Sequence, residues 1–234
     1  MNPWPPPREE KLPSKKNQVY LRERQINGVV TRVVEKEFTD PRRFAQEVKL
    51  VTALSPSALA VPRLLRTQPP DARGQGVLVY EYIEGRTALA YLEQNEIPQG
   101  RFLLDALTRW LAAFYALTKT QFKKQWILGD AHLRNFIYNE KSDQLYGFDF
   151  ENAIPGRIEQ DLARLFLFIL TYEPAYAPKH QALAQSLINR ANPALAMDPV
   201  ILRAAIQAEA ADMTARRNIT LNQPLIAAII ETCR

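Results

Sequence analysis

Two short stretches concentrate the side chains that could do chemistry. One is Ile127-Leu128-Gly129-Asp130-Ala131-His132-Leu133-Arg134-Asn135, and the other is Tyr146-Gly147-Phe148-Asp149-Phe150-Glu151. Asp130 and Asn135 are five residues apart, and Asp149 follows Asn135 by fourteen. Between them the short apolar runs Phe136-Ile137-Tyr138 and Leu145 to Phe150 flank the polar turn Asn139 to Gln144, which predicts a β-hairpin. A hairpin returns its two ends to one neighbourhood, so Asn135 and Asp149 could face one point. A carboxylate and an amide oxygen are hard ligands suited to Mg²⁺. Asp130, just upstream, could accept the proton of an incoming hydroxyl. Metal ligands, a base and a positioning cation are most of what phosphoryl transfer needs.

Those residues need elements to hold them. Val19 to Ile26 and Val29 to Phe38 are rich in β-branched residues and read as strands, with Asn27-Gly28 as the two-residue turn between them. A helix is expected to start at Pro41 with Asp40 as its N-cap, because Phe44, Val48, Val51 and Leu54 then recur at helical spacing. Val61 to Leu65 and Val77 to Tyr80 read as further strands, Pro69 to Gly76 as loop, and Gly85 as the point where the chain leaves the last strand. From residue 87 the period turns helical. Leu103, Leu104, Leu107, Trp110, Leu111, Phe114 and Leu117 form a broad apolar stripe that belongs in a core. From Ile158 onward the chain reads as mostly helical, with breaks near Pro174, Pro178, Pro193, Pro199 and Pro224. Strands with one helix followed by a helical remainder predict an α+β fold with two unequal lobes. The seam is expected near residues 82–86, a kind of place that ligand clefts favour.

The 234 residues, 47% of them hydrophobic, are enough for a sizeable core. Residues 1–16 carry five prolines among charged residues and read as a tail. The single cysteine, Cys233, excludes a disulfide framework within the chain. The longest strongly apolar run, Leu165 to Leu170, is far too short to span a bilayer, and no leader pattern opens the chain, so a cytoplasmic protein is expected. The net charge of +5 favours anionic partners, nucleotides among them. Arg42-Arg43, Lys123-Lys124 and Arg216-Arg217 are isolated pairs rather than a stripe, and no RNA-binding aromatic motif or zinc-finger spacing is present.

The two central stretches together resemble the catalytic and metal-binding loops of the protein-kinase-like superfamily. The resemblance is to the branch holding aminoglycoside phosphotransferases, choline kinases and small atypical kinases such as the RIO, KEOPS-complex and Kdo kinases. In that branch the catalytic loop commonly reads H-G-D-x-H-x-x-N, against Leu128-Gly129-Asp130-Ala131-His132-Leu133-Arg134-Asn135 in this chain. The metal segment commonly reads I-D-F or I-D-W followed by an acidic residue, against Phe148-Asp149-Phe150-Glu151. The resemblance spans roughly residues 19–172. It implies a bilobal fold: a small β-rich, nucleotide-binding N-lobe at 17–85 and a mainly helical C-lobe at 86–234. It implies ATP and Mg²⁺ as cofactors, Asp130 as the base, and Asn135 and Asp149 as the metal ligands. Lys36 would hold the nucleotide phosphates, with Glu47 as its ion-pair partner. Tyr82 and Ile83, in Glu81-Tyr82-Ile83-Glu84-Gly85, would lie at the hinge that holds adenine, and Asp161 would brace the catalytic loop.

The chain departs from the pattern in two places. Leu128 stands where the histidine before Gly-Asp is usual, and no glycine-rich phosphate loop is present. Two activities therefore compete. One is an ATP- and Mg²⁺-dependent phosphotransferase acting on a hydroxyl of a small molecule or of a protein Ser or Thr. The other is a pseudokinase that binds nucleotide without turnover. A basic protein that associates with nucleic acid is a third reading, and it would show a steep salt dependence. Taken singly, Asp130 reads as a turn residue, Lys36 as a solvated strand lysine and Glu47 as an exposed helix charge.

Overall fold

The computed structural model describes residues 9–14, 16–26 and 28–232. The expected turn residue Asn27, the first prolines of the tail and Cys233 lie outside them. The chain divides into two compact units, one running to Glu84 and including Phe148–Asn152, the other holding Gly85–Gly147 and the residues from Ala153 onward.

The first unit is built on strands β1 (Glu9–Leu12), β2 (Gln18–Ile26), β3 (Val29–Phe38), β4 (Leu64–Gln68) and β5 (Gly76–Glu81). They form one antiparallel sheet in the order β1-β2-β3-β5-β4. Ile26 pairs with Val29, the register a two-residue turn imposes, and Gly28 takes φ +83° within it. β1 lies inside the stretch whose prolines read as tail. Glu9 to Leu12 contain no proline, so their backbone can complete the ladder on β2. β4 begins three residues later than Val61, because Pro62 supplies no ladder donor.

Helix α1 (Pro41–Leu54) follows β3. Asp40 caps it by accepting the Arg42 N–H at 2.9 Å, and Pro41 occupies the first position, where no donor is needed. Its buried face is Phe44, Glu47, Leu50, Val51 and Leu54. Phe44 meets Phe38 edge-on at 5.6 Å.

The second unit is mainly helical. It contains β6 (Arg86–Thr87), α2 (Ala88–Gln94), α3 (Ile97–Phe122), β7 (Trp126–Ile127), β8 (Phe136–Asn139), β9 (Gln144–Gly147), β10 (Ile154–Pro155), α4 (Ile158–Thr171), α5 (Pro178–Leu195), α6 (Pro199–Arg217) and α7 (Gln223–Thr232). Sheet β6-β8-β9 carries the expected hairpin, and β7 pairs with β10. The core draws on Leu103, Leu104, Leu107, Leu111 and Phe114 of α3, which packs on α5, and on Leu162, Leu165, Phe166, Leu167 and Leu170 of α4, which packs on α5 and α6. Each such side chain, fully buried, contributes roughly 2 kcal/mol.

A helical break falls near Pro193 and Pro199: α5 ends at Leu195, two residues after Pro193, and α6 opens at Pro199. One expectation is corrected: the strand expected over Leu145 to Phe150 stops at Gly147. Asp149 then adopts φ +67°, a left-handed conformation that no ladder accommodates but that Asp tolerates better than most residues. No helix among the described residues is long and apolar enough to cross a membrane.

Candidate active site

In the first unit, Lys36 lies on β3 opposite Leu78 of β5, with Val19 on its other flank. It is 7% exposed, and its Nζ stays charged because carboxylates surround it. It donates to Glu47 Oε2 at 2.7 Å and Asp149 Oδ1 at 2.6 Å, and Glu151 Oε2 lies at 3.1 Å. Burial alone would lower its pKa. Glu47, then Asp149 and Glu151, outweigh that and hold the ammonium well above the ordinary lysine range.

Glu47 is completely enclosed. Burial pushes its pKa up, while Lys36 and the Tyr80 hydroxyl, donating at 2.8 Å, pull the other way. Tyr80 is pushed well up by its own burial and by Glu47. Glu151 also accepts from the Asn17 amide and from Arg43 at 3.3 Å. One oxygen each of Glu47, Asp149 and Glu151 falls within 4.8 Å of the others, and the cation these oxygens share is the Lys36 ammonium. Asp149 is the most open of the three, with its side chain 30% exposed.

Of the two residues expected at the hinge, Tyr82 lies under the Arg32 guanidinium at 4.0 Å, and Ile83 is half-buried just beyond β5. Both are placed by β5 in the same unit as Lys36 and Glu47.

In the second unit β7 delivers Leu128-Gly129-Asp130. Gly129 turns the chain with φ +70°, a conformation that needs no strain without a Cβ. Asp161, in the first turn of α4, accepts the N–H groups of Leu128 at 2.7 Å and Gly129 at 3.1 Å, and the Tyr115 hydroxyl at 3.0 Å. Burial raises its pKa to about 6 against those donors and the charge of Arg164. Arg164 donates to the Gly129 carbonyl and is itself clamped by both carboxylate oxygens of Glu209, at 2.9 and 2.7 Å.

After Asp130 the loop is fixed again. The Asn135 amide donates to the Asp130 carbonyl at 3.0 Å, and the Leu133 N–H donates to the Tyr172 hydroxyl at 3.2 Å. The backbone of Asp130 is thus tied on both sides. Its half-buried carboxylate is close enough to Arg164 for their charges to interact, and no hydrogen bond to its side chain is seen among the described residues.

Lys36, Glu47 and Asp149 are brought into direct contact, and Asp130 and Asn135 are joined in one loop. Arg164, Tyr80 and the Lys36–Glu151 contact were not legible in the sequence. Arg164 gave one signal, a charged side chain immediately before the apolar run Leu165 to Leu170 of α4.

Compared with models of protein families, residues 89–195 match the phosphotransferase enzyme family. Among solved structures, a kinase of Cydia pomonella granulovirus is similar with a TM-score of 0.51 and 16% identity, over 62% of this chain and 53% of that one. The match thus spans about half of the viral kinase. A candidate aminoglycoside phosphotransferase of Ralstonia eutropha JMP134 is similar with a TM-score of 0.58 and 14% identity, over 83% of this chain and 77% of that one. No curated protein matches the chain. The chain has an α+β, protein-kinase-like fold, with an N-terminal antiparallel sheet and a helical C-terminal part, and the family similarity supports a phosphotransferase.

Proposed function

We propose that the chain transfers the γ-phosphate of ATP to an acceptor hydroxyl. The observation that carries the proposal is the buried Lys36 ammonium held between Glu47 at 2.7 Å and Asp149 at 2.6 Å, residues far apart in sequence. A structural lysine needs one counter-charge; this one has three. Such a group is suited to meet phosphates whose charge exceeds that of any one carboxylate. The residues from 17 to 85 form the nucleotide-binding part and those from 86 to 234 the catalytic part in this reading.

Lys36 holds the nucleotide phosphates and Glu47 orients it. Tyr82 and Ile83 offer backbone groups to adenine. Asn135 and Asp149 are the ligands for Mg²⁺, which when bound neutralises charge on the phosphates. Asp130 takes the proton of the acceptor hydroxyl as its oxygen bonds to the γ-phosphorus. The bond from that phosphorus to the bridging oxygen breaks, and ADP leaves. Asp161 and Arg164 hold the loop so that this carboxylate is positioned before the acceptor arrives.

The test is Mg²⁺-dependent transfer of labelled γ-phosphate, with and without cell extract. Asp130→Asn is expected to lower turnover by about 10²–10⁴-fold while nucleotide binding persists. Wild-type protein that binds ATP but transfers nothing, to extract or to itself, would leave the pseudokinase reading in its place. Leu128 and the short turn at Gly28 are the features that favour that reading.

A further inference from the structure

Phe168 and Tyr172 lie four residues apart on α4 and just beyond it, with rings stacked at 6.1 Å and 24°. They support the loop that carries Asp130: the His132 ring meets Phe168 edge-on at 5.4 Å, and the Tyr172 hydroxyl accepts the Leu133 N–H. The same two rings also seat two arginines. The Arg134 guanidinium, from the loop itself, lies 5.8 Å over Tyr172, and that of Arg217, the last residue of α6, lies 4.5 Å over Phe168. Both are exposed.

Neither has a carboxylate partner among the described residues. The contrast with the next residue is sharp, since Arg216 is engaged by Glu209 at 3.1 Å and Asp212 at 2.5 Å. One acidic side chain, Glu93 of α2, also bears on Tyr172, against the two guanidiniums that act on the same phenol. The local balance is therefore positive.

A guanidinium stacked on a ring loses freedom but keeps its N–H edge pointed outward. That edge is the part that binds carboxylate or phosphate with two parallel hydrogen bonds. Arg134 is one residue before Asn135 and four after Asp130, so an oxyanion held there belongs to a molecule at the catalytic loop.

Resting on the phosphotransferase reading above, we infer that Arg134 and Arg217 form an oxyanion subsite, and that the acceptor is a small alcohol carrying its own carboxylate or phosphate group. A cationic amino alcohol meets repulsion at this place. The transfer is the one already written: the acceptor oxygen gains the γ-phosphorus, ADP leaves, and the hydroxyl proton passes to Asp130. The acceptor's oxyanion stays unreacted on the two arginines.

Four probes of similar size separate the outcomes: glucose, glucosamine, gluconate and glucose 6-phosphate. Calorimetric binding to the full chain at low salt is expected to favour gluconate or glucose 6-phosphate over glucose by about tenfold or more, with glucosamine weakest. Gluconate against glucose 6-phosphate tells carboxylate from phosphate. Arg134→Gln and Arg217→Gln each weaken the preferred anion by about tenfold, and Arg134→Lys recovers part of the loss. Thermal melts verify that these surface variants fold. With MgATP, the same substitutions raise KM for the anionic probe and leave that for glucose unchanged.

Three results overturn the subsite: glucose or glucosamine binding as well as the anions, anion binding that survives the double substitution, or no binding of either anion at millimolar concentration. Anion binding that depends on both arginines without phosphoryl transfer keeps the subsite and rejects the phosphotransferase reading. Transfer to neutral alcohols with no effect of the arginines does the reverse.

Discussion

Lys36, Glu47 and Glu151 are 7%, 2% and 5% exposed, so the charges they carry have little water to fall back on. Each is tolerated because the others are present. Removing the one ammonium leaves two enclosed carboxylates with Asp149 beside them, and of these three Arg43 pairs with Glu151, while it also pairs with Asp40. Breaking a buried pair costs about 3–5 kcal/mol, whereas replacing both partners by apolar groups is close to neutral. Lys36→Met is therefore expected to destabilise the chain by about that amount in urea titrations, and Lys36→Met with Glu47→Leu to recover much of it. A single substitution costing under about 1 kcal/mol would show that the lysine is not the counter-charge the distances describe. The resemblance implied this pair, and the helical pattern supports it. Residues 44, 47, 51 and 54 share one helical face, and Glu47 interrupts an otherwise apolar stripe. A carboxylate on a core face asks for a partner. What the sequence could not show is that Glu151, over a hundred residues later, shares the same lysine.

The elements whose chemistry is local were legible: the turn at Gly28, the Asp40 cap, the long helix α3 and the hairpin β8–β9. Strands of two residues, β6, β7 and β10, were not, because they have no periodicity to read and exist only through their partners. The end of β9 was misread for a related reason. Phe148-Asp149-Phe150 alternates like a strand, yet tertiary demands on Asp149 turn the backbone left-handed. Gly147 marks the point where the hairpin ends. A Cβ there would lie 2.2 Å from the Trp110 ring, which also stacks on Phe114 at 5.4 Å and meets Phe136 edge-on at 5.2 Å. That cluster cannot yield without disturbing the helix and the strand it joins. Gly147→Ala is expected to cost about 1–3 kcal/mol and to broaden the amide signals of β8 and β9 in NMR spectra. An unchanged midpoint and spectrum would mean the indole moves freely, contrary to its packing.

At the scale of the whole molecule, Asp161 is where fold and site are tied together, since one carboxylate joins α3 through Tyr115, α4 through its own backbone and the loop of Asp130 through two N–H groups. Burial raises its pKa from 3.8 to about 6. Between those two values the folded chain holds a proton that the unfolded chain has released. Stability therefore falls as pH rises through that window, and the residue adds no further pH dependence above it. The integrated effect is roughly 3 kcal/mol, of which roughly 1 kcal/mol falls between about pH 5 and 7.5. Asp161→Asn removes the titration and, by offering an amide to N–H donors, is less stable at every pH. The measurement is the difference between the urea stabilities of the two proteins across that range, which cancels every other titrating group. It is expected to narrow as pH rises, because only the wild type loses stability to ionisation of this carboxyl. The opposite slope would mean the three donors outweigh burial and hold the folded-state pKa below 3.8, and parallel curves would mean the two effects cancel. If the chain is the phosphotransferase proposed above, its activity is expected to have the reverse dependence. The ionised carboxylate is the stronger acceptor for the Leu128 and Gly129 N–H groups, so turnover should rise through about pH 6 even as global stability declines.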